Sequence, residues 1–524
     1  MPTKIIVTHE AAMRKKYGRR WLKIKAAVRA LIAADKRRGI SSVFVPLDDP
    51  KFGQWRARSG TPRTFKEAID HAYGLYRKPD YIAILGGPDI VPHQDMANPL
   101  TGDDKKDDPV VPSDLPYACD APASDDISTF VGPSRAVGRI PDVPKDADPQ
   151  LLLSVLGFAA RWKPPTAAGS TYFGLSTYTW RRSTSKTLKA LFGPKARPRI
   201  SPDDGPRWSA AELVPPWHFI NCHGAPIDTH FYGQKKKSYP PAHDASLLAR
   251  KIARGTLAAA ECCYGAQLFD PALATGPGIG VTYLEEGAIG FMGSSTVAYG
   301  PATRNNYADL ICRFFLEAAR EGASLGSAML EARQRFVTEA APLNPVDLKT
   351  LGQFILLGDP SARAVRQIVT AARGMEKRMV SHAERRGALE ATASALTRGV
   401  DSVAPASDAP APQAVQARLA KEAAAAGYVP AEHARTFDVR ESSNTAARSL
   451  LGPRDSQATR FHLMAATPAA DGDRRFERKA RKAAGARARE DAIPKRLLLL
   501  GHEVAGRLVQ VDCLYAHTPW RRPS

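Results

Sequence analysis

Cysteine is scarce in this chain of 524 residues, and its spacing argues against a disulfide framework. The six cysteines form no CxxC pair and no regular series. Cys262 and Cys263 are adjacent, and a disulfide between neighbouring residues would be strained. We therefore expect reduced thiols, as in a cytoplasm. The six lie at positions 119, 222, 262, 263, 312 and 513.

Long apolar runs and nucleotide-binding motifs are also missing. The first residues, PTKIIVTHEAAMRKK, contain no apolar core of a secretion signal. No stretch reaches the roughly eighteen uninterrupted apolar residues that indicate a membrane-spanning helix. Neither a P-loop nor a G-x-G-x-x-G motif occurs. We therefore expect an unexported, cytoplasmic protein without a membrane span.

Acidic residues are too few to balance the basic ones. The chain has 53 Asp and Glu against 74 Lys and Arg, which gives a formal net charge of +21. Such a charge attracts acidic partners, whether nucleic acid, anionic membrane or acidic protein. The C-terminal run FERKARKAAGARARE, residues 476–490, is the candidate site for an acidic partner or nucleic acid, although it lacks interleaved aromatic residues.

Short apolar strands alternate with helical patterns in the first part of the chain. Strands are predicted at residues 3–8, 41–47 and 81–87, with helices at 10–36 and 64–77 between them. This alternation predicts a parallel, doubly wound sheet with right-handed crossovers. Four segments are expected: an N-terminal α/β subdomain (1–165), a catalytic domain (166–370), an Ala/Pro-rich linker (371–430) and a basic C-terminal region with a β-hairpin turning near residues 505 and 506 (431–524).

Two short apolar runs each end in a reactive residue. WHFINCHG (217–224) ends in His223 and Gly224, and TLAAAECCYGAQLF (256–269) contains Cys262, Cys263 and Gly265. Both runs predict buried strands, and ligands bind at the carboxyl ends of parallel strands. A thiol needs a nearby imidazole to become a usable nucleophile, and the attacked carbonyl needs fixed N–H donors. The pattern indicates a His/Cys dyad.

Three alternatives to this dyad remain open. Adjacent cysteines at a strand end are often only part of the core. His230 could replace His223 as the base, although it lacks the strand before it and the Gly after it. Cys222, His223, Cys262 and Cys263 could together bind zinc, but their spacing matches no ordinary structural-zinc pattern.

The two runs resemble the caspase-like cysteine peptidases. Residues 261–265, Glu-Cys-Cys-Tyr-Gly, align with the caspase signature Q-A-C-[RQG]-G, which places Cys263 on the nucleophile. A C-x-x-G alignment, found elsewhere in that clan, would choose Cys262 instead. The flanking segments are similar to the gingipain-type peptidases over about residues 1–366. They are PDYIAILGGPDIVP (79–92), VPSDLPYACD (111–120), RAVGRIPDVP (135–144), GAIGFMGSSTVAYGP (287–301) and QFILLGDPSARAV (353–365).

The resemblance implies an α/β caspase-like fold, in which a mainly parallel sheet is flanked by helices. A smaller α/β subdomain would precede it, and a basic, partly disordered extension would follow. It implies a cysteine endopeptidase that needs no metal, no cofactor and no third carboxylate. His223 would transfer protons, Cys263 would attack the scissile carbonyl of a protein or peptide substrate, and the N–H groups of Gly224 and Cys263 would bind the oxyanion.

Candidate substrate-binding residues follow from position. Ser294, Ser295, Thr296 and Tyr299 come after the strand predicted at 287–293 and could line the pocket for the residue before the cleaved bond. Asp114 and Asp120 belong to a charged connection, residues 103–126, long enough to be a functional loop. Two other function classes remain: an inactive caspase-like scaffold that binds protein partners, and a basic nucleic-acid-binding protein.

Overall fold

The structure of the protein is a computed structural model, and it divides the chain into two compact units, Met1–Ala383 and Glu384–Ser524. It describes residues 1–100, 107–340, 343–366, 403–425, 428–430, 435–439, 460–468, 496–504 and 507–516.

The first unit is an α/β structure. Its strands are β1 (Thr3–Thr8), β2 (Ser41–Pro46), β3 (Tyr81–Leu85), β4 (Gln94–Ala97), β5 (Val110–Ser113), β6 (Ala136–Ile140), β7 (Tyr172–Thr177), β8 (Arg199–Ser201), β9 (Trp217–Asn221), β10 (His223–Gly224), β11 (His230–Tyr232), β12 (Pro241–Asp244), β13 (Leu257–Ala260), β14 (Gly290–Ser294) and β15 (Phe354–Gly358). Its helices are α1 (Glu10–Tyr17), α2 (Trp21–Arg37), α3 (Pro62–Leu75), α4 (Gln150–Arg161), α5 (Arg181–Phe192), α6 (Ala210–Leu213), α7 (Ile279–Glu285), α8 (Ala308–Arg320), α9 (Leu325–Ala340) and α10 (Pro345–Gln353).

One sheet of ten strands runs through this unit in the order β2-β1-β3-β6-β15-β14-β13-β9-β7-β8. Strands β2, β1, β3 and β6 are parallel to one another, and so are β14, β13, β9, β7 and β8. Strand β15 lies between these two groups and is antiparallel to β14. The expected mainly parallel sheet with flanking helices is therefore present.

Both faces of the central strands are buried. In β13, Leu257 and Ala259 belong to one apolar cluster and Ala258 and Ala260 to the other, and all four side chains are inaccessible to solvent. A strand covered on both faces has no polar side, which is why its sequence is a continuous apolar run. In β13 the polar and reactive residues follow the end of the strand, from Glu261 onwards.

The helix predicted over residues 10–36 is two helices. Gly18 has a φ of 54°, in the left-handed region that glycine tolerates, and the chain turns there between α1 and α2. In α2, Trp21, Ile24, Val28 and Leu31 lie at helical spacing and are buried, and Ile32 is partly buried.

Two features of the structure bear on the predicted segments. Strand β6 pairs with β15, so residues 1–165 and 166–370 contribute strands to one sheet. The segment predicted as a linker contains a strand, β16 (Val403–Pro410), and a helix, α11 (Gln413–Ala425). Its Ala and Pro content resembles linker composition, but pairing with a neighbouring strand supplies the hydrogen bonds that the segment itself cannot.

The second unit contains an antiparallel sheet. The further strands are β17 (Tyr428–Pro430), β18 (Arg435–Val439), β19 (Arg460–Pro468), β20 (Arg496–Val504) and β21 (Arg507–Ala516). Strands β20 and β21 pair antiparallel on either side of the turn predicted at residues 505 and 506. That turn, the basic run 476–490 and the predicted disordered part of the extension lie outside the described residues.

Among the helices that the structure describes, none is both long enough and apolar enough to cross a membrane.

Candidate active site

The two apolar runs are neighbouring parallel strands, as predicted. Leu257 to Ala260 of β13 pair with Trp217 to Ile220 of β9, and the N–H of Glu261 continues the ladder to the carbonyl of Ile220, 2.8 Å away. Their carboxyl ends therefore meet at one edge of the sheet. His223 leaves one end and Cys262 and Cys263 leave the other.

The two cysteines point to opposite sides. Cys262 is fully buried, and its sulfur accepts the N–H of Cys222 at 3.4 Å. Cys263 is only partly buried, and its sulfur accepts the N–H of Ala298 at 3.3 Å. Strand β13 ends at Ala260, so the bend and turn that follow it direct the two sulfurs to different sides. Only the Cys263 sulfur lies towards the loop that follows β14.

Backbone N–H groups surround the Cys263 sulfur. Burial raises the pKa of the Cys263 thiol, while the N–H groups of Ala298 and Gly224, the charge of Lys349 and the residue's own N–H act in the opposite direction. Burial dominates, so the resting thiol is protonated at neutral pH. These N–H groups would stabilise negative charge on the sulfur or on an oxygen next to it.

Position 224 requires glycine because its backbone lies very close to the backbone of Cys263. A Cβ at this position would stand 1.9 Å from the carbonyl oxygen of Cys263 and 2.9 Å from its carbonyl carbon. Any side chain would push the two strand ends apart. From the sequence, the N–H of Gly224 was expected to bind the oxyanion. The structure adds that glycine, which lacks a Cβ, permits close contact with the Cys263 backbone.

The residue after Cys263 has an unusual backbone. Tyr264 has a φ of 56°, a left-handed conformation that bulky residues rarely adopt. Its N–H donates to the carbonyl of Thr296 at 2.9 Å, and its hydroxyl donates to Asp108 at 2.7 Å. Backbone strain of this kind persists only where the surroundings impose it, and it is concentrated at functional sites.

His223 is held by a side chain that the sequence did not single out. Its Nε2 lies 2.8 Å from Oε1 of Gln234, while the Gln234 amide nitrogen donates to the hydroxyl of Tyr239 at 3.0 Å. Because Oε1 can only accept, Nε2 carries the proton and Nδ1 is the free base. Trp180 and Tyr239 pack against the ring at centroid distances of 4.4 and 5.1 Å.

The imidazole is neutral at rest and is not bonded to a thiol. Burial lowers the pKa of His223, and the hydrogen bond to Gln234 only partly opposes this. In the described residues the ring's hydrogen-bond partner is Gln234, and the imidazole is not hydrogen bonded to Cys262 or Cys263.

The alternative base and the zinc alternative find no support. Both ring nitrogens of His230 are taken, Nδ1 by Asp228 at 2.9 Å and Nε2 by Asp244 at 3.4 Å. Within the described ranges, no three His, Cys, Asp or Glu side chains are grouped so that they could hold a metal ion.

Three of the predicted substrate-binding residues are placed differently. Asp114 is buried and paired with Arg139 and with His93 at 2.8 Å, so its carboxylate is not free for a ligand. Buried Ser294 donates to the carbonyl of Thr296 at 2.5 Å, and buried Ser295 donates to that of Pro112 at 2.6 Å. The carboxylate of Asp114 and the hydroxyls of both serines are thus engaged in contacts within the protein. Residue type and position in the sequence alone could not show these contacts.

Tyr299 does lie at the site, one residue after Ala298. Its hydroxyl donates to Asp107 at 2.9 Å. Asp107 in turn forms an ion pair with Lys349, and both side chains are buried. Asp120, the other loop carboxylate considered, pairs with Arg135. The charged connection does reach the site, but through Asp107 and Asp108.

A carboxyl pair lies directly before the cysteines. Glu261 and Asp309 are both buried and lie close enough for their charges to interact. Burial raises both pKa values, that of Asp309 to about 7, and the charge of Asp309 raises that of Glu261 further. Asn305 donates to Asp309 at 3.2 Å. A buried pair of this kind holds a proton at neutral pH, since no described cation compensates it.

Comparison with known proteins supports the motif-based resemblance. Residues 219–365 match the model of peptidase family C25. No curated protein matches the chain. Solved structures that align with it include the Arg-specific cysteine proteinase gingipain R, at 10% identity over 98% of both chains with a TM-score of 0.49. A complex of Porphyromonas gingivalis RgpB pro- and mature domains aligns at 10% identity over 70% of this chain and 80% of that one, with a TM-score of 0.47.

The family match spans the His run, the Cys run and the strand β15 that follows them. Over the segment that carries the site, the chain is therefore similar to the gingipain-type cysteine peptidases, as its motifs predicted.

Proposed function

We propose that this protein is a cysteine endopeptidase in which Cys263 is the nucleophile and His223 the proton carrier. The observation that carries the proposal is the position of the Cys263 sulfur. It is partly accessible, accepts the N–H of Ala298 and is adjoined by the N–H of Gly224, whereas the Cys262 sulfur is buried under β9.

The chemistry begins from a neutral pair. Burial keeps the Cys263 thiol protonated and the His223 ring neutral. As the sulfur attacks the scissile carbonyl carbon, its proton must therefore leave, and Nδ1 of His223 is the acceptor that Gln234 leaves free.

The oxyanion forms beside the sulfur. The N–H groups of Gly224 and Cys263, which act on the thiol electrostatically, would bind the negative oxygen of the tetrahedral intermediate. The intermediate collapses when His223 returns the proton to the leaving amine, which gives a thioester on Cys263. Water then attacks the thioester carbonyl while His223 takes its proton; the C–S bond breaks, the acid product leaves, and His223 returns the proton to the Cys263 sulfur.

A peptide-library assay with the purified full chain tests this function. Peptides blocked at both ends should be cut at internal bonds, and a peptide with a thiol-reactive ketone should form an adduct on Cys263. His223→Ala should abolish both cleavage and labelling. Labelling that does not depend on His223, with no cleavage of any peptide, would favour the inactive scaffold instead.

A further inference from the structure

Two consecutive aspartates hold the two tyrosines that flank the reactive sulfur. Asp107 and Asp108 lie just before β5, far from the site in sequence. Asp108 accepts the hydroxyl of Tyr264, which follows Cys263, at 2.7 Å. Asp107 accepts the hydroxyl of Tyr299, which follows the sulfur's N–H donor Ala298, at 2.9 Å. The tyrosine after Cys263 and the tyrosine after the sulfur's N–H donor are thus both hydrogen bonded to the dipeptide Asp107-Asp108.

The Tyr264 contact acts on a strained residue. At a φ of 56°, this tyrosine would relax to a negative φ if it were free, and the Cys263 carbonyl and sulfur would move with it. Three hydrogen bonds oppose that relaxation: the Tyr264 N–H donates to Thr296, its carbonyl accepts the N–H of Gln267 at 3.0 Å, and its hydroxyl donates to Asp108. A hydrogen bond to a charged carboxylate is among the stronger ones.

The Asp107 contact anchors the dipeptide. Its carboxylate and the ammonium of Lys349 form an ion pair in which the side chains are 1% and 0% exposed. The Tyr299 ring lies 5.1 Å from the same ammonium. A buried, paired carboxylate has little freedom to move, so Asp108 next to it is a fixed point to which the Tyr264 hydroxyl is tied.

We propose that Asp108 is a positioning residue for Cys263, acting through the hydroxyl of Tyr264, with Asp107 and Lys349 as its anchor. The proposal rests on Cys263 being the nucleophile of the proposed function. Asp108 touches no reacting atom. Its role is to keep the turn at residues 263–265 in the conformation that places the sulfur among the N–H groups of Gly224, Cys263 and Ala298.

The first test is a set of matched variants assayed for kcat and KM on one peptide. Asp108→Ala and Tyr264→Phe should each lower kcat by about tenfold or more and change KM little, because substrate contacts remain while sulfur geometry is lost. The double variant should be no worse than either single one. Asp108→Asn, which keeps an acceptor oxygen, should recover most of the activity. Asp95→Ala, at an exposed position on β4, is the control.

A second measurement does not need peptidase activity. The rate of iodoacetamide alkylation at Cys263, followed by peptide mapping against pH, reports the thiol's own ionisation. In Tyr264→Phe the sulfur should lose fixed N–H donors, so the profile should move to higher pH. Tyr264→Phe removes only one hydroxyl, and its thermal unfolding should stay cooperative even if Asp108→Ala does not fold.

The outcomes separate the two proposals. A wild-type chain that cuts no peptide, combined with a shifted alkylation profile in Tyr264→Phe, would end the peptidase proposal and leave the positioning role standing. Active wild type with unchanged kcat and unchanged alkylation in Tyr264→Phe would overturn the positioning role alone.

Discussion

The carbonyl oxygen of Cys263 occupies the space that a side chain on Gly224 would need, since a Cβ there would stand only 1.9 Å from it. The ends of the two reactive runs are therefore in direct backbone contact. The backbone of Gly224 is also close enough to the Cys263 thiol to oppose the rise in its pKa.

Gly224→Ala should therefore damage the site more than an ordinary glycine substitution would. We expect a loss of activity of at least about a hundredfold and a destabilisation of about 1–3 kcal/mol, because backbone rather than a flexible side chain would have to move. Activity and thermal unfolding give the measurement. Gly74→Ala in α3, which meets nothing within 4 Å, should be neutral or stabilising by up to about 1 kcal/mol. Equal behaviour of the two variants would show that the close approach at Gly224 is unimportant.

The two cysteines should respond differently to replacement. Cys263→Ala should remove turnover and covalent labelling, because no other described sulfur reaches the N–H of Ala298. Cys262→Ala deletes one buried atom and should cost roughly 1 kcal/mol of stability while most turnover remains. Turnover in Cys263→Ala, with none in Cys262→Ala, would show that the C-x-x-G alignment identifies the nucleophile.

Gln234→Glu should move the pH dependence of activity. A carboxylate next to Nε2 stabilises the charged imidazolium, so the pKa of His223 should rise by about one unit. Because the neutral ring is the base, the acidic limb of kcat/KM should then shift to higher pH. Gln234→Ala removes the acceptor without adding charge, and it should lower kcat while leaving that limb nearly in place. If the acidic limb of kcat/KM does not shift in Gln234→Glu, His223 is not the base.

The Glu261–Asp309 pair should make stability fall as pH rises. The folded-state pKa of Asp309 is raised to about 7 from an ordinary 3.8, so between these values the unfolded chain releases a proton that the folded chain keeps. The resulting loss in unfolding free energy, at most about 4 kcal/mol, is complete above about pH 7. Asp309→Asn should therefore stabilise the protein more at pH 8 than at pH 5. Denaturant titrations at both values measure this, with exposed Asp203→Asn as control.

A chain that ends at Ala383 should fold and keep its Cys263 reactivity. The ten-stranded sheet and both apolar clusters are complete within Met1–Ala383, and the strands of the second unit pair only among themselves in the described ranges. Cooperative thermal unfolding and covalent labelling of the shortened chain are the measurements. Aggregation on expression, or loss of labelling with the fold intact, would show that the second unit supports the site.

The sequence alone was enough to predict the two reactive strand ends. Runs such as WHFIN and LAAA are short and apolar, as buried strands are, and in a parallel pair the carboxyl ends must meet. These features depend on residues next to one another in the chain, so local pattern determines them.

The surroundings of the two reactive residues were decided by tertiary structure. Gln234 and Asp108 carry no motif, and their roles arise because folding brings them to His223 and Tyr264. Asp114, equally charged and in the same predicted loop as Asp108, is buried against Arg139 instead. A carboxylate's role depends on which side chains folding places next to it and on how exposed it remains to water. Neither quantity is encoded in the residues adjacent to it in the chain.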